Sequence, residues 1–469
     1  MKKIFSKLRL GTNASGNRIW LYPLLLILLA GCKKDFLDTR PNKALLVPTT
    51  VADMQTLLDN LQVFNNTPGL PFIADGDFYT PDAGYNAFGL DMERNSYTWA
   101  KNIYGGIPDA DWNNSYQQIF YANVVLEGLA KLPTASTTAE KNAVAGTALF
   151  ARAFALYNLV RVYAKPYDPT TAATDAGVPL RLQADVTLKV ARGTVAQVYA
   201  QVFTDLSAAR KLLPAGTAYK SRPTVAAVQA LRARICLTKE EYVQAGLYAD
   251  SALALSKTLI DYSTLSQTAN RPFPRVLPDA NDEVIFYSAQ IAYSFNTTSA
   301  PSYADSLLYR SYKANDLRKV IFFRLLTPGN YKFKGNYAGS LLLFSGLAVD
   351  EMYLIRAECA ARAGNTAAAM EALNTMLVTR WVTGTYAPLA ASGAEDALRQ
   401  VLMERRKQLL GRGIRWDDLR RLNTDPRFKV TLNRNVGGNG YSLGPGSPRY
   451  TYPIPDEEIR LNGLTQNER

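Results

Sequence analysis

Apolar residues recur along this chain at helical spacing for long stretches, then lose their period where prolines, glycines and aromatic rings crowd together. The clearest run is Val195, Val198, Val202, Leu206, Ala209 and Leu213, at steps of three and four, which sets all six on one helix face until Pro214 stops it. Thr194 and Gln197 form a capping box at its start. Thr137 and Glu140 carry the same signature ahead of a run to about Ala164. In that run Phe150, Phe154, Tyr157 and Val160 line one face while Leu149, Leu156 and Tyr163 line another. A helix apolar on most sides is buried on most sides. Ser392 and Glu395 open a third capped helix ending near Gly411, with Glu395 and Arg399 as an i, i+4 pair.

Two segments read as one unit used twice. Ala233, Ala245 and Ala252 are separated by twelve and seven residues, and Ala357, Ala369 and Met376 repeat both spacings. Each segment breaks midway, at Leu237-Thr238-Lys239 and at Gly364-Asn365. Small residues at these places are the tetratricopeptide signature, because only small side chains let paired helices touch. The units are not tandem, so the expected fold is mainly α: a tetratricopeptide-like scaffold of helical pairs beside a loop-rich irregular region. Residues 165–193, with Pro166, Pro169, Gly177 and Pro179, read as a long loop, and 271–346 and 425–455 as loop-rich stretches. Residues 72–121 hold twelve aromatics, about twice the chain average of 11 %, with prolines and glycines between them.

The first residues are not fold material. Lys2, Lys3, Lys7, Arg9 and Arg18 lead into the apolar run Ile19–Ala30, the pattern of a secretory signal. That run is shorter than the roughly 20 residues a membrane-crossing helix needs. Leu29-Ala30-Gly31-Cys32 resembles the lipobox of bacterial lipoproteins, whose cysteine is acylated and becomes the first residue of the mature chain. Cleavage before Cys32 would remove five of the 53 basic residues and no acidic one, so the net charge of +13 becomes +8. The remaining cations are dispersed, which together with export argues against nucleic acid. Cys236 and Cys359 lie in apolar helical runs, as two buried thiols or one disulfide.

The chain contains no histidine, which excludes histidine bases, His-containing zinc sites and Ser-His-Asp or Cys-His pairs. Chemistry by two carboxylates survives that filter. Glu404 and Asp417 invite it, but Arg405, Arg406, Arg415, Arg420 and Arg421 stand around them, and arginine holds nearby carboxylates ionised. Charge-assisted pairing that fixes a helix corner is the better account. Asp75, Asp77 and Asp82 fail the EF-hand pattern, which needs glycine where Thr80 stands.

Motifs along the whole chain resemble the SusD/RagB family of outer-membrane lipoproteins. Cys32-Lys33-Lys34-Asp35-Phe36-Leu37-Asp38 looks like its post-lipobox opening. Trp112, Tyr116, Ile119, Ala122 and Asn123 stand at its next motif, followed by Ala151-Arg152-Ala153-Phe154. Glu404-Arg405-Arg406, Gly413-Ile414-Arg415-Trp416-Asp417-Asp418-Leu419-Arg420-Arg421 and Tyr452-Pro453-Ile454-Pro455 match its C-terminal segments. The resemblance implies a signal peptide over 1–31, a lipid-anchored tether over 32–48, an N-terminal half over 49–265 and a C-terminal half over 266–469 that carries the loop insertions and the final helical repeat. It implies a binder without catalysis or cofactor, lipid-anchored through Cys32 at the cell surface. There it would capture a nutrient, usually an oligosaccharide and in some members a peptide, for a SusC-like TonB-dependent transporter.

Sugar rings offer apolar C–H faces and a rim of hydroxyls, so their sites pair stacking aromatics with Asp, Asn and Arg. Asp77, Tyr79, Trp99 and Asn102 supply both kinds in the first loop region, and Tyr293 and Asn296 in the second, with Tyr287 beside them. Trp99 either stacks on a sugar or packs its loop onto the scaffold, whereas Trp112 and Tyr116 read as core.

Overall fold

The computed structural model describes residues 48–133, 138–277, 281–297 and 301–469. The leader, Cys32, Thr137 and all but the last residue of the tether lie outside these. Nine helices carry the argument: α1 (Ala110–Lys131), α2 (Ala139–Tyr163), α3 (Val195–Leu212), α4 (Val225–Thr238), α5 (Tyr242–Leu255), α6 (Val349–Arg362), α7 (Thr366–Leu377), α8 (Ala394–Gln408) and α9 (Arg415–Leu422). Neighbours in sequence pack as neighbours in space from α1 to α5; α5 then packs on α6, and α8 covers α6 and α7.

The periodic run at α3 folds as its pattern demands. Thr194 Oγ1 accepts from Gln197 N and Gln197 Oε1 accepts from Thr194 N, closing the capping box. Val195, Val198, Val202, Leu206 and Ala209 are fully buried, each larger side chain contributing about 1.5–3 kcal/mol. Helix α2 is long and apolar enough to span a bilayer, but here it lies between α1 and α3 with nearly every residue after Val144 buried. Its cap is Thr138, one residue beyond the expected Thr137, and the hydroxyl accepts from Lys141 N. The third cap also differs. Helix α8 starts after Gly393, and Ser392 bonds Asp396 rather than closing on Glu395. The Glu395–Arg399 pair is present at 2.6 Å, half-exposed.

The two repeated units are the helix pairs α4/α5 and α6/α7, and Ala233, Ala245, Ala252, Ala357, Ala369 and Met376 are all fully buried. At Gly246 on α5 an added Cβ would stand 3.3 Å from Cys359 Cβ on α6, so a glycine lets these helices close up. Cys236 and Cys359 are separate buried thiols, each pushed up to about 12 by burial.

Between the helices run short ribbons: β1 (Phe78–Tyr79) pairs antiparallel with β2 (Tyr303–Ala304), β3 (Phe323–Thr327) with β4 (Asn330–Phe333), and β5 (Leu432–Val436) with β6 (Asn439–Leu443). Buried ion pairs join α6, α8 and α9. Arg421 grips Glu358 with both terminal nitrogens, at 2.6 and 2.8 Å, and also reaches Asp418, which Arg405 holds from α8. Burial alone would raise Glu358, but Arg421 and Arg362 outweigh it and hold the carboxyl below its ordinary value.

A second polar knot sits at the start of α1. Asp111 accepts from Gly69 N, Leu70 N and Tyr293 Oη, while Tyr163 Oη donates to Asp109 at 2.5 Å. Burial, with Asp109 adding to it, pushes Asp111 up to about 8; burial pushes Asp109 up to about 6.

Two outcomes follow from these knots. Arg421→Ala leaves Glu358 with Arg362 and Asp418 with Arg405, each short of one buried charge-assisted partner, and should cost about 1–3 kcal/mol in a denaturant melt, against under about 1 kcal/mol for Arg399→Ala at the exposed pair. Because Asp111 and Asp109 hold protons more tightly folded than unfolded, the stability they confer is complete below about pH 4 and lost as pH rises towards 8. Melting temperature measured from pH 5 to 9 should therefore fall more steeply for the wild type than for Asp111→Asn; equal slopes would show that this knot is not what titrates.

Candidate ligand-binding surface

The residues chosen from sequence part company in the structure. Trp99 is 1 % exposed; its positive φ of 54° turns the indole inward, Nε1 donates to Ala74 O, and the Arg434 guanidinium of β5 lies 4.7 Å from the ring centre. It packs its loop onto the body and presents no face to a sugar. Asp77 is 2 % exposed, 2.8 Å from Arg406 Nε and 3.6 Å from Arg415 Nε, which makes it a structural anchor. Tyr293 is spent on Asp111, and Asn296 accepts from Tyr293 N while donating to Ile291 O. Asn102 is exposed, on the turn after Trp99. Of the six, Tyr79 alone is both outward-facing and grouped with other rings. Trp112 is core, and Tyr116 is half-buried with its hydroxyl on Pro179 O.

Strand alternation explains the grouping around Tyr79. On β1, Phe78 points down onto Phe72 and Phe333, at ring-centre distances of 5.0 and 5.7 Å, so Tyr79 points up. Tyr303 is its cross-strand partner on β2, the rings 5.8 Å apart. On β4 Phe333 is buried and Tyr331 faces out, where it stacks on Tyr309 with ring centres 3.4 Å apart. Tyr79 Oη lies 2.9 Å from Asn330 Oδ1 and 3.0 Å from Gly329 O, tying the β3–β4 turn to β1. Burial raises the Tyr79 phenol, with Tyr303 adding to it, so it stays a neutral donor and acceptor.

Polar groups stand at the edge of these rings. Asp305 is half-buried, and Arg406, already on Asp77, lies 3.6 Å from it. Half-exposed tyrosines over a packed aromatic floor, with carboxylate, amide and guanidinium at the rim, can stack on apolar ring faces and hydrogen-bond hydroxyls. Sequence reasoning missed Tyr303, Tyr309, Tyr331, Asn330 and Asp305. One signal was present: Pro328-Gly329 between two strand-like runs marks a hairpin whose alternation puts Tyr331 opposite to Phe333.

The carboxylates of the C-terminal motif are engaged elsewhere. Glu404 pairs with Arg318 at 2.6 Å and Lys407 at 2.7 Å, and Asp417 with Arg161 at 2.8 Å. Asp418 is held low by Arg405 and Arg421 against its burial. Asp417 differs, because burial outweighs Arg161 and Arg420 and raises it above its ordinary value.

Residues 35–237 match the model of a family described as starch-binding and associating with the outer membrane, and residues 350–469 match the SusD family model. No curated protein matches the chain. A SusD superfamily protein from Bacteroides vulgatus overlays with a TM-score of 0.70 at 20 % identity, covering 90 % of this chain and 99 % of its own. One from Bacteroides thetaiotaomicron gives 0.64 at 22 %, covering 90 % and 100 %, and a SusD-like carbohydrate binding protein from Bacteroides vulgatus gives 0.65 at 20 %, covering 89 % and 97 %. Family models at both ends of the chain, and a shared fold across nearly all of it, place this protein in the SusD/RagB family.

Proposed function

We propose that this protein is a cell-surface lipoprotein that binds oligosaccharide on the tyrosine surface and hands it to a TonB-dependent outer-membrane transporter. The observation that carries the reading is the arrangement of Tyr79, Tyr303, Tyr309 and Tyr331, facing out over a floor of buried phenylalanines. A surface of this kind accepts a chain from the side and releases it again, as a delivery protein must. Glycan binding is also in keeping with a family described as starch-binding and with a solved relative described as carbohydrate binding. Membrane attachment rests on Leu29-Ala30-Gly31-Cys32, and the transporter on the family resemblance. The reading has no chemical step, and each carboxylate of the arginine-rich motif has a structural partner.

Two measurements test it. Calorimetric titration of the mature protein against a panel of oligosaccharides and a peptide pool should identify a glycan ligand that is recovered at full length. Tyr303→Ala and Tyr331→Ala should each weaken it at least tenfold, about 1.4 kcal/mol, and unchanged affinity in both would remove the tyrosine surface from the reading. Cys32→Ala should move the protein from the outer-membrane fraction to a soluble one, whereas retention there would mean that something other than the lipid holds it.

A further inference from the structure

Away from the tyrosine surface a hollow of about 540 Å³ opens between the residues before α1 and the segment around Tyr287. Its apolar walls include Leu61, Ile291 and Leu342, and its polar groups include the amides of Gln62 and Asn114 and the phenol of Tyr287. A fifth of the chain is charged, yet among the described residues no charged side chain lines this hollow. Its size falls within the range of small-molecule sites, which combine apolar walls with a few fixed polar groups.

Two features point to what fits. Among the described residues the Tyr287 hydroxyl and the side-chain amide of Gln62 make no hydrogen bond, while the Gln62 backbone is bonded to Asn60, Asn66 and Asn114, and both free groups can donate and accept. The strand at the wall, Ala289–Gln290, is already used on both sides. It pairs in parallel with Asn66–Thr67, and Ala289 bridges Phe344. An extended peptide therefore finds no free edge to add to, and no ion for a charged side chain or terminus.

We infer that this hollow is a second sugar subsite, selective for uncharged pyranose units, which stack on Tyr287 and the leucines while their hydroxyls bond Gln62, Asn114 and the phenol. The inference rests on the oligosaccharide reading above but not on the tyrosine surface. It assigns the two places different tasks: the surface has charged groups at its rim, whereas the hollow rejects acidic sugars. A glycan long enough to reach both would be held at two points, with a gain in avidity set by the span between them.

The test uses the mature protein carrying Tyr303→Ala, titrated with maltoheptaose, cellohexaose, mannohexaose, hexagalacturonate and an unstructured peptide pool. A neutral hexose oligomer should still bind this variant and hexagalacturonate should not. Leu342→Arg, at a side chain 41 % exposed, should then lower affinity at least tenfold, and Tyr287→Phe, which removes one hydroxyl only, severalfold. The inference is overturned if no neutral oligomer binds the Tyr303→Ala variant, if binding survives both further substitutions, or if peptides bind there and sugars do not. Loss of all sugar binding on Tyr303→Ala alone would leave the tyrosine surface standing and dispose of the hollow. Binding untouched by Tyr303→Ala and abolished by Leu342→Arg would do the reverse.

Discussion

Buried guanidinium–carboxylate pairing is the constraint on which the rest of this structure hangs. Taking an arginine out of water costs several kcal/mol, and only a well-placed carboxylate with good geometry returns it. Here the pairs are bidentate or shared: Arg421 on Glu358 and Asp418, Arg318 on Asp316 and Glu404, Arg234 on Glu351, Arg152 on Asp205. Arg421–Glu358, Arg318–Glu404, Arg234–Glu351 and Arg152–Asp205 each join residues more than fifty positions apart. Hydrophobic burial packs α1 to α8 side by side, but it is non-directional. The ion pairs are directional, and they set which turn of one helix meets which turn of the next.

The same constraint reaches the tyrosine surface. Arg406, on α8, holds Asp77 across 329 residues of sequence, and Asp77 lies two residues before Tyr79. Arg434, on β5, donates to Tyr97 O and Ile73 O and covers the Tyr97 and Trp99 rings. The irregular region has little regular structure of its own, so these two arginines do for it what backbone ladders do in a sheet. The arginine anchors and the phenylalanine floor together fix the position of these tyrosines.

This explains what could be read in advance. Helix periods, the Thr194–Gln197 box and the small-residue repeat at Ala233 and Ala357 are local patterns, so they survive as written. Caps slipped by a residue where two candidates adjoin, as at Thr137 and Thr138, because local sequence does not say which residue leaves the helix. The arginine-rich segment was recognisable as structural from composition, but its partners were not: nothing near Asp77 in sequence announces Arg406. The site was the least legible part. An aromatic that packs a loop and one left facing out are the same class of residue, and burial alone separates Trp99 from Tyr79. That burial depends on where β5 and α8 return, hundreds of residues later.

The two proposed sites, with their different chemistry, also bear on how a bound glycan would be released. A single tight site would hold a glycan well and release it slowly, since differences in affinity between related complexes appear mostly in the rate of leaving. Weak contacts at separated points divide that problem. Either point can open while the other keeps the chain local, and the whole is lost once a receiving partner occupies one of them. The tyrosine surface is open to the side and the hollow is shallow and uncharged, so neither encloses a ligand. Under the proposed transfer role, modest and divided affinity is the physical requirement. A scaffold pinned by buried ion pairs would keep the tyrosine surface and the hollow at a fixed separation without either being deep.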